Sequence, residues 1–175
     1  MIPRTSARST SRVLMAGLIG NVMEWYDFAV YGYFATVIGR EFFPSGDPAA
    51  SLIGAFGAFA AGFLVRPLGG VVFGRIGDLA GRQVALKLSV MVMAVPTVLM
   101  GLLPTHSQIG IAAPIAVVLL RIVQGLSVGG EYTSSIIFLS ENAPERQRGF
   151  YAIWGLWGSV LGMLLGCGFG DLLAH

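Results

Sequence analysis

Residues 66–82 read Arg-Pro-Leu-Gly-Gly-Val-Val-Phe-Gly-Arg-Ile-Gly-Asp-Leu-Ala-Gly-Arg and separate two long apolar runs of the chain. Arg66 lies inside the first run, and a glycine-rich segment that carries Arg75, Asp78 and Arg82 follows it. A short basic connection between apolar runs is typical of a cytoplasmic loop that joins two membrane-spanning helices. The stretch therefore predicts a helical hairpin in a membrane.

The composition of the whole chain also indicates a membrane protein. Hydrophobic residues make up 55% of the 175 residues, charged residues only 11%, and the mean hydropathy is +0.76. A soluble domain carries about 25% charged residues, so this chain has too few to cover a surface in water. The single cysteine, Cys167, lies in an apolar, glycine-rich stretch and is predicted to be an inert small hydrophobic residue.

Five apolar segments have the length of about 20 residues that a membrane helix needs, and they predict an all-α integral membrane fold. They are residues 13–38, 52–73, 84–103, 113–139 and 150–173. Residues 1–12 are predicted to form an N-terminal tail, and residues 13–173 a partial transmembrane helix bundle. The histidines, His106 and His175, form no metal cluster or nucleophile–base pair in the sequence, so neither an enzyme nor a bound cofactor is expected.

Positive charge is distributed unevenly between the predicted loops. Arg40 lies on one side of the membrane, and the other side holds Arg4, Arg8, Arg12, Arg75, Arg82, Lys87, Arg146 and Arg148. Because cytoplasmic loops carry the excess of Lys and Arg, the N-terminus is predicted to be cytoplasmic, in the plasma (inner) membrane. The same asymmetry accounts for the net charge of +2 without a nucleic-acid partner.

Glycines recur at every fourth residue of the fifth predicted span, at positions 158, 162, 166 and 170. In lipid, such a stripe allows two helix backbones to approach closely. The stripe therefore predicts a tightly packed partner helix, and this packing role is favoured over a binding role.

Five ionisable residues lie inside the predicted spans, namely Glu24, Asp27, Arg66, Arg121 and Glu131. A charge facing lipid at mid-span costs about 2.5–3.5 kcal/mol on insertion scales. The five residues are therefore predicted to meet in the bundle interior, where they pair with one another or contact water.

Helical spacing groups these charges into two polar stripes. One, on the first span, contains Asn21, Glu24, Asp27 and Tyr31; the other, on the fourth, contains Arg121, Gln124, Val128, Glu131 and Ser135. They predict the facing walls of one polar pathway, with structural ion pairs as the alternative. A carboxylate in low dielectric accepts a proton more readily, so any of the three acidic residues could carry one, while an arginine suits a carboxylate-bearing ligand.

The aromatic residues near the acidic pair are Trp25, Tyr26, Phe28 and Tyr31. Helix packing is their favoured role, and a cation–π contact becomes attractive only for a ligand with a quaternary ammonium.

The segment after Arg66 has its own prediction. Gly74, Gly77 and Gly81 permit a short turn, in which Asp78 sits near a helix N-terminus. Because the cytoplasmic loops of such a bundle come together, Asp78 and Arg82 are predicted to form an interhelical charge cluster with Glu141. The alternative is a solvated loop.

These motifs resemble the major facilitator superfamily, and within it the branch of metabolite:proton symporters. The resemblance rests on Gly-Asn-Val-Met-Glu-Trp-Tyr-Asp-Phe at 20–28, Gly-x-x-Gly-Asp-x-x-Gly-Arg at 74–82, Arg-x-x-Gln-Gly-x-x-x-Gly-Gly-Glu at 121–131, and Glu141 with Arg-Gly-Phe at 148–150. Proline/betaine and alpha-ketoglutarate proton symporters have nearly the same pattern. Gln83 departs from it, because a basic residue often follows the arginine there.

The resemblance implies secondary active transport by alternating access, driven by the proton gradient without a cofactor. It implies a cytoplasmic gate motif that includes Gly74, Asp78, Gly81, Arg82, Glu141 and Arg148. It associates Arg121 with substrate or proton coupling, and it places Glu24, Asp27, Arg66 and Glu131 at the cavity. The expected solute is small and carboxylated, of the proline/glycine betaine type or, next, a dicarboxylate such as alpha-ketoglutarate.

Superfamily members have two six-helix halves, so five predicted spans correspond to an incomplete N-terminal half. One expectation is the N-terminal part of a symporter whose C-terminal half is absent. The other is a non-transporting truncated product, or a membrane interaction module that pairs with a full-length homologue. The expected partners are membrane lipid, the solute, a proton, and the missing half or a homologue.

Overall fold

The structure, a computed structural model, describes residues 7–141 and 143–174, and the side chains of these residues except at 7–14, 16, 17, 130–134, 136–138, 141, 145 and 174. Within this part of the chain all regular structure is helical. The helices are α1 Ala7–Tyr33, α2 Ala35–Phe42, α3 Pro48–Ala80, α4 Arg82–Gly101, α5 His106–Ile109, α6 Ala112–Glu141 and α7 Arg148–Ala174, with a 3₁₀ turn at Glu145–Gln147.

Four of the described helices, α3, α4, α6 and α7, are long and apolar enough to cross a membrane. They correspond to the second to fifth predicted spans. The first predicted span is divided between α1 and α2 by a break at Phe34, and its membrane crossing stays a prediction. The all-α fold is confirmed.

The distribution of polar and apolar side chains is the reverse of that in a soluble protein. Large apolar side chains cover the outside, with Leu64 79% and Leu79 86% exposed. Polar side chains such as Asn21, Gln124 and Ser127 are almost completely buried in the centre. Since water would not stabilise such an exterior, lipid is the solvent that fits it.

The connection between α3 and α4 is shorter than the sequence predicts. Residues 74–80 continue α3 as regular helix, and the reversal is confined to Gly81, whose φ of +96° favours glycine. The prediction that Gly74 and Gly77 belong to the turn is wrong, because a single residue in this conformation is sufficient to end one helix and begin the next. Asp78 therefore lies in the last turn of α3, four residues before Arg82 at the start of α4.

Two helix pairs pack most closely, and glycine makes both contacts possible. On α7, the predicted glycine stripe lies against α1: a Cβ at Gly158 would lie 3.1 Å from Asn21 Cβ, and one at Gly166 would lie 2.6 Å from Ala29 Cβ. The predicted close packing is thus confirmed, and α1 is the partner helix. The second pair is α3 and α6, where Gly62 and Gly69 of α3 meet the backbone of α6 with no room for a side chain.

Candidate solute and proton site

The contact between α1 and α6 is formed by polar side chains. We call it the polar seam, and its members are Asn21, Glu24, Asp27 and Tyr31 on α1 with Arg121, Gln124 and Ser135 on α6. Asn21 Nδ2 donates to Ser135 Oγ over 3.0 Å. The two predicted stripes therefore lie opposite each other, joined by direct bonds.

The strongest contact in the polar seam is an ion pair between Asp27 and Arg121. Arg121 Nη1 lies 2.5 Å from Asp27 Oδ2, and Gln124 Nε2 donates to Asp27 Oδ1 over 3.3 Å. Asp27 is 9% exposed and Arg121 4%. Both oxygens of a buried carboxylate thus have a donor, which is the condition for keeping a charge in a low-dielectric interior.

Arg121 is also held from a second side, by Tyr31. Its guanidinium carbon lies 3.8 Å from the centre of the Tyr31 ring, and Tyr31 in turn stacks on Phe59 of α3 at 5.3 Å. The Tyr31 hydroxyl donates to the carbonyl of Ala55 over 2.8 Å. Because α1, α3 and α6 all contribute, the position of the arginine depends on the packing of three helices.

Glu24 and Arg66 form a looser pair between α1 and α3. Glu24 Oε1 and Arg66 Nη1 are 4.0 Å apart, and the glutamate is 2% exposed. The guanidinium carbon of Arg66 lies 3.6 Å from the ring centre of Phe63 and 4.4 Å from that of Phe28. Two aromatic rings therefore contact this cation in addition to its carboxylate.

An open pocket of about 440 Å³ lies beside this pair. We call it the Arg66 pocket, and its lining consists of Glu24, Trp25, Phe63, Arg66, Pro67, Gly70, Val128 and Gly129. The Arg66 side chain is 23% exposed. The pocket thus combines mostly apolar walls with a cation, a combination that suits a small solute with one anionic group.

Thr97 of α4 is part of the same network, although sequence patterns did not indicate it. It accepts a hydrogen bond from Gln124 Nε2 over 2.8 Å, and its own hydroxyl donates to the Met93 carbonyl over 3.0 Å. Thr97 orients the amide that also contacts Asp27. An isolated threonine in an apolar helix gives no periodic signal, so only the tertiary contact reveals it.

The family profile described as Sugar (and other) transporter matches residues 13–175. This chain belongs to that family of the major facilitator superfamily. It is an integral membrane protein of a transporter family, not an enzyme. Among solved structures none matches it.

Several characterised transporters are similar to this superfamily member over most of its length. It is 46% identical over 157 residues to the glycine betaine/proline/ectoine/pipecolic acid transporter OusA of Dickeya dadantii (strain 3937). The matched segment covers 90% of this chain and 31% of the relative. The proline/betaine transporter of Escherichia coli (strain K12) is 45% identical with the same coverage. The shikimate transporter of the same strain is 43% identical over 164 residues, 93% of this chain and 37% of the relative. The chain thus spans about a third of the length of these relatives.

The residues of the predicted gate motif lie at the end of α3, the start of α4, the end of α6 and the start of α7. Arg82 Nη2 lies 3.3 Å from Asp78 Oδ1, with the two side chains 32% and 69% exposed. Arg148 is the exposed first residue of α7. The side chains of Glu141 and of Glu131 lie outside the described ones, so the predicted contacts of both carboxylates stay predictions. The gating role of the whole motif is also still a prediction.

Proposed function

We propose that this chain forms the solute- and proton-binding part of a proton-coupled symporter for a small carboxylated solute, with the proline/betaine type favoured. The observation that carries the proposal is the contact of Glu24 with Arg66 in the lining of the Arg66 pocket, together with the buried ion pair of Asp27 and Arg121. Charges are expensive inside a membrane, and an intramembrane cluster of this kind is best explained by a ligand or proton pathway.

The chemistry of the relatives' solutes supports a carboxylate ligand. Betaine, proline, ectoine, pipecolic acid and shikimate each carry one carboxyl group. The nitrogen atom is not shared by all of them, because shikimate has none. The carboxylate is thus the common group, and an arginine on aromatic rings is suited to bind it. A dicarboxylate such as alpha-ketoglutarate is the next candidate.

The pocket is large enough for such a solute and is closed only in part. Its volume of about 440 Å³ lies within the usual range of small-molecule sites, roughly 300–1,000 Å³. Walls from α1, α3 and α6 leave one side open, where a second half of a transporter would complete the site. Alternating access would then expose this site to each side of the membrane in turn.

A chimeric transporter tests the proposal. The 175-residue chain replaces the matched N-terminal part of the Escherichia coli proline/betaine transporter, and uptake of labelled proline and glycine betaine is followed in vesicles. We expect accumulation that requires a proton gradient and stops when an uncoupler dissipates it. A well-inserted chimera that accumulates neither solute, while the intact relative does so in parallel, would refute the proposal.

A second candidate function is a membrane interaction module that pairs with a full-length homologue. Its support is an apolar groove of about 410 Å³, whose lining is Leu18, Phe150, Ile153, Trp154, Trp157 and Leu161. The chain alone, without any added half, would then co-purify with a tagged full-length relative and alter its transport rate. Trp157→Ala, which changes a side chain that is 63% exposed, should weaken the association without unfolding the bundle.

A further inference from the structure

The two described carboxylates of the polar seam are held in very different ways. Asp27 has a donor for each oxygen, from Arg121 and Gln124. Glu24 Oε1 lies at the limit of an ion pair with Arg66, and Glu24 Oε2 is buried with no hydrogen-bond partner in the described part of the chain. The free-energy cost of burying an ionised carboxylate is therefore higher in the surroundings of Glu24 than in those of Asp27.

Arg66 does not depend on Glu24 for its position. The Phe63 and Phe28 rings lie within 3.6 Å and 4.4 Å of the guanidinium carbon. Neutralising Glu24 would therefore leave the arginine in place, with its charge directed at the pocket. By contrast, neutralising Asp27 would remove the close counter-charge of a 4% exposed Arg121, which is a far larger penalty.

We propose that Glu24 carries the coupled proton and that Arg66 links proton binding to solute binding, an inference that rests on the proposed function. A proton that enters through the pocket adds to Glu24 Oε2 and makes the side chain neutral. Arg66 then lacks its carboxylate partner, and the carboxylate of the solute takes that place. Asp27 keeps its ion pair with Arg121.

This exchange of partners explains how two ligands are coupled. Ionised Glu24 competes with the solute for Arg66, whereas protonated Glu24 does not. The proton and the solute therefore favour each other's binding, and by linkage the effect is reciprocal. We expect solute to bind on the order of 10-fold tighter at acidic than at alkaline pH, within the usual range of such coupling.

Other charged groups lie on the helices around Glu24. They are Asp27 on α1, Arg66 on α3 and Arg121 on α6, and α6 also carries Glu131, whose side chain lies outside the described ones. Both Asp27 and Glu131 are thus alternative proton carriers that the experiment must separate from Glu24.

Infrared difference spectroscopy of the full chain in lipid vesicles makes that separation without any solute. Acidification should produce a carboxylic acid C=O band that is absent in Glu24→Gln and present in Asp27→Asn, in Glu131→Gln and in the exposed control Glu41→Gln. A band that survives in Glu24→Gln and disappears in either of the two alternatives overturns the assignment.

A second variant covers the case in which Glu24→Gln fails to fold. Arg66→Ala keeps Glu24 and removes its nearest cation, so the acid band should persist to higher pH than in the unchanged chain. A band with the same pH midpoint in both proteins would show that Glu24 is not the titrating group.

The chimera supplies the functional readout. Glu24→Gln should abolish proton-driven accumulation of proline and retain exchange of labelled for unlabelled proline, because exchange needs no net proton movement. Loss of both activities in a well-inserted protein indicates a structural role and contradicts the inference. A chimera that transports nothing at all refutes the proposed function, while the infrared result still decides whether Glu24 titrates.

Discussion

The close contact between α7 and α1 leads to a prediction that needs no assumption about transport. A Cβ added at Gly166 would lie 2.6 Å from Ala29 Cβ and 2.9 Å from the Tyr26 carbonyl oxygen. Carbon atoms in contact are ordinarily about 3.5–4.0 Å apart, so the two helices would have to separate by about 1 Å. Gly168 lies on the same helix, and a Cβ there would meet nothing within 4 Å.

The magnitude follows from two opposing effects. Overpacking of a tight contact costs about 1–3 kcal/mol, whereas replacing glycine by alanine in a helix contributes up to about 1 kcal/mol of stability. We therefore expect Gly166→Ala to be less stable than Gly168→Ala by about 1–3 kcal/mol, because both variants have the gain in helix propensity and only Gly166→Ala has the overpacked contact. Gly168→Ala, which meets no neighbour, is expected to be neutral or slightly stabilising.

Thermal unfolding of the purified chain in detergent, followed by circular dichroism, measures the difference. For a chain of this size about 1 kcal/mol corresponds to roughly 2–4 °C. The unfolding temperature of Gly166→Ala should fall by at least that amount below that of Gly168→Ala. Equal unfolding temperatures for the two variants would refute the close packing of α7 on α1.

Three further predictions follow from the polar seam and the α3–α4 turn. Arg121→Ala should cost about 3–5 kcal/mol of stability, because it leaves the buried Asp27 carboxylate without its cation; a thermal unfolding temperature close to that of the unchanged chain would contradict this. Thr97→Val removes the acceptor of Gln124 and should cost about 1 kcal/mol, and Thr97→Ser should restore the unfolding temperature. Asp78→Asn should leave the unfolding temperature nearly unchanged, because exposed ion pairs contribute little, yet it should slow uptake by the chimera; unchanged uptake would count against a gating role.

Much of this organisation can be predicted from the sequence because it is local. Low charge content and apolar segments of membrane length indicate lipid as the solvent. The 3.6-residue period of a helix places Glu24 and Asp27 on one face of α1, and Arg121 and Gln124 on one face of α6. The glycine stripe of α7 indicates close packing. The motifs at 20–28, 74–82 and 121–131 resemble the superfamily, and the family comparison bears this out.

What only the tertiary structure decides is which of these faces meet and how each charge is satisfied. Periodicity places Asp27 on a helix face, but it does not indicate that Arg121 rather than Arg66 is its partner. The support of Arg66 by two phenylalanine rings, and the contact of Thr97 with Gln124, join residues far apart in sequence. The position of the turn between α3 and α4 depends on how far α3 continues before the single residue Gly81 reverses the chain. The face on which a residue lies follows from its spacing to neighbours along the chain. The side chain that it contacts on another helix depends on how whole helices pack, and a local sequence pattern does not contain that information.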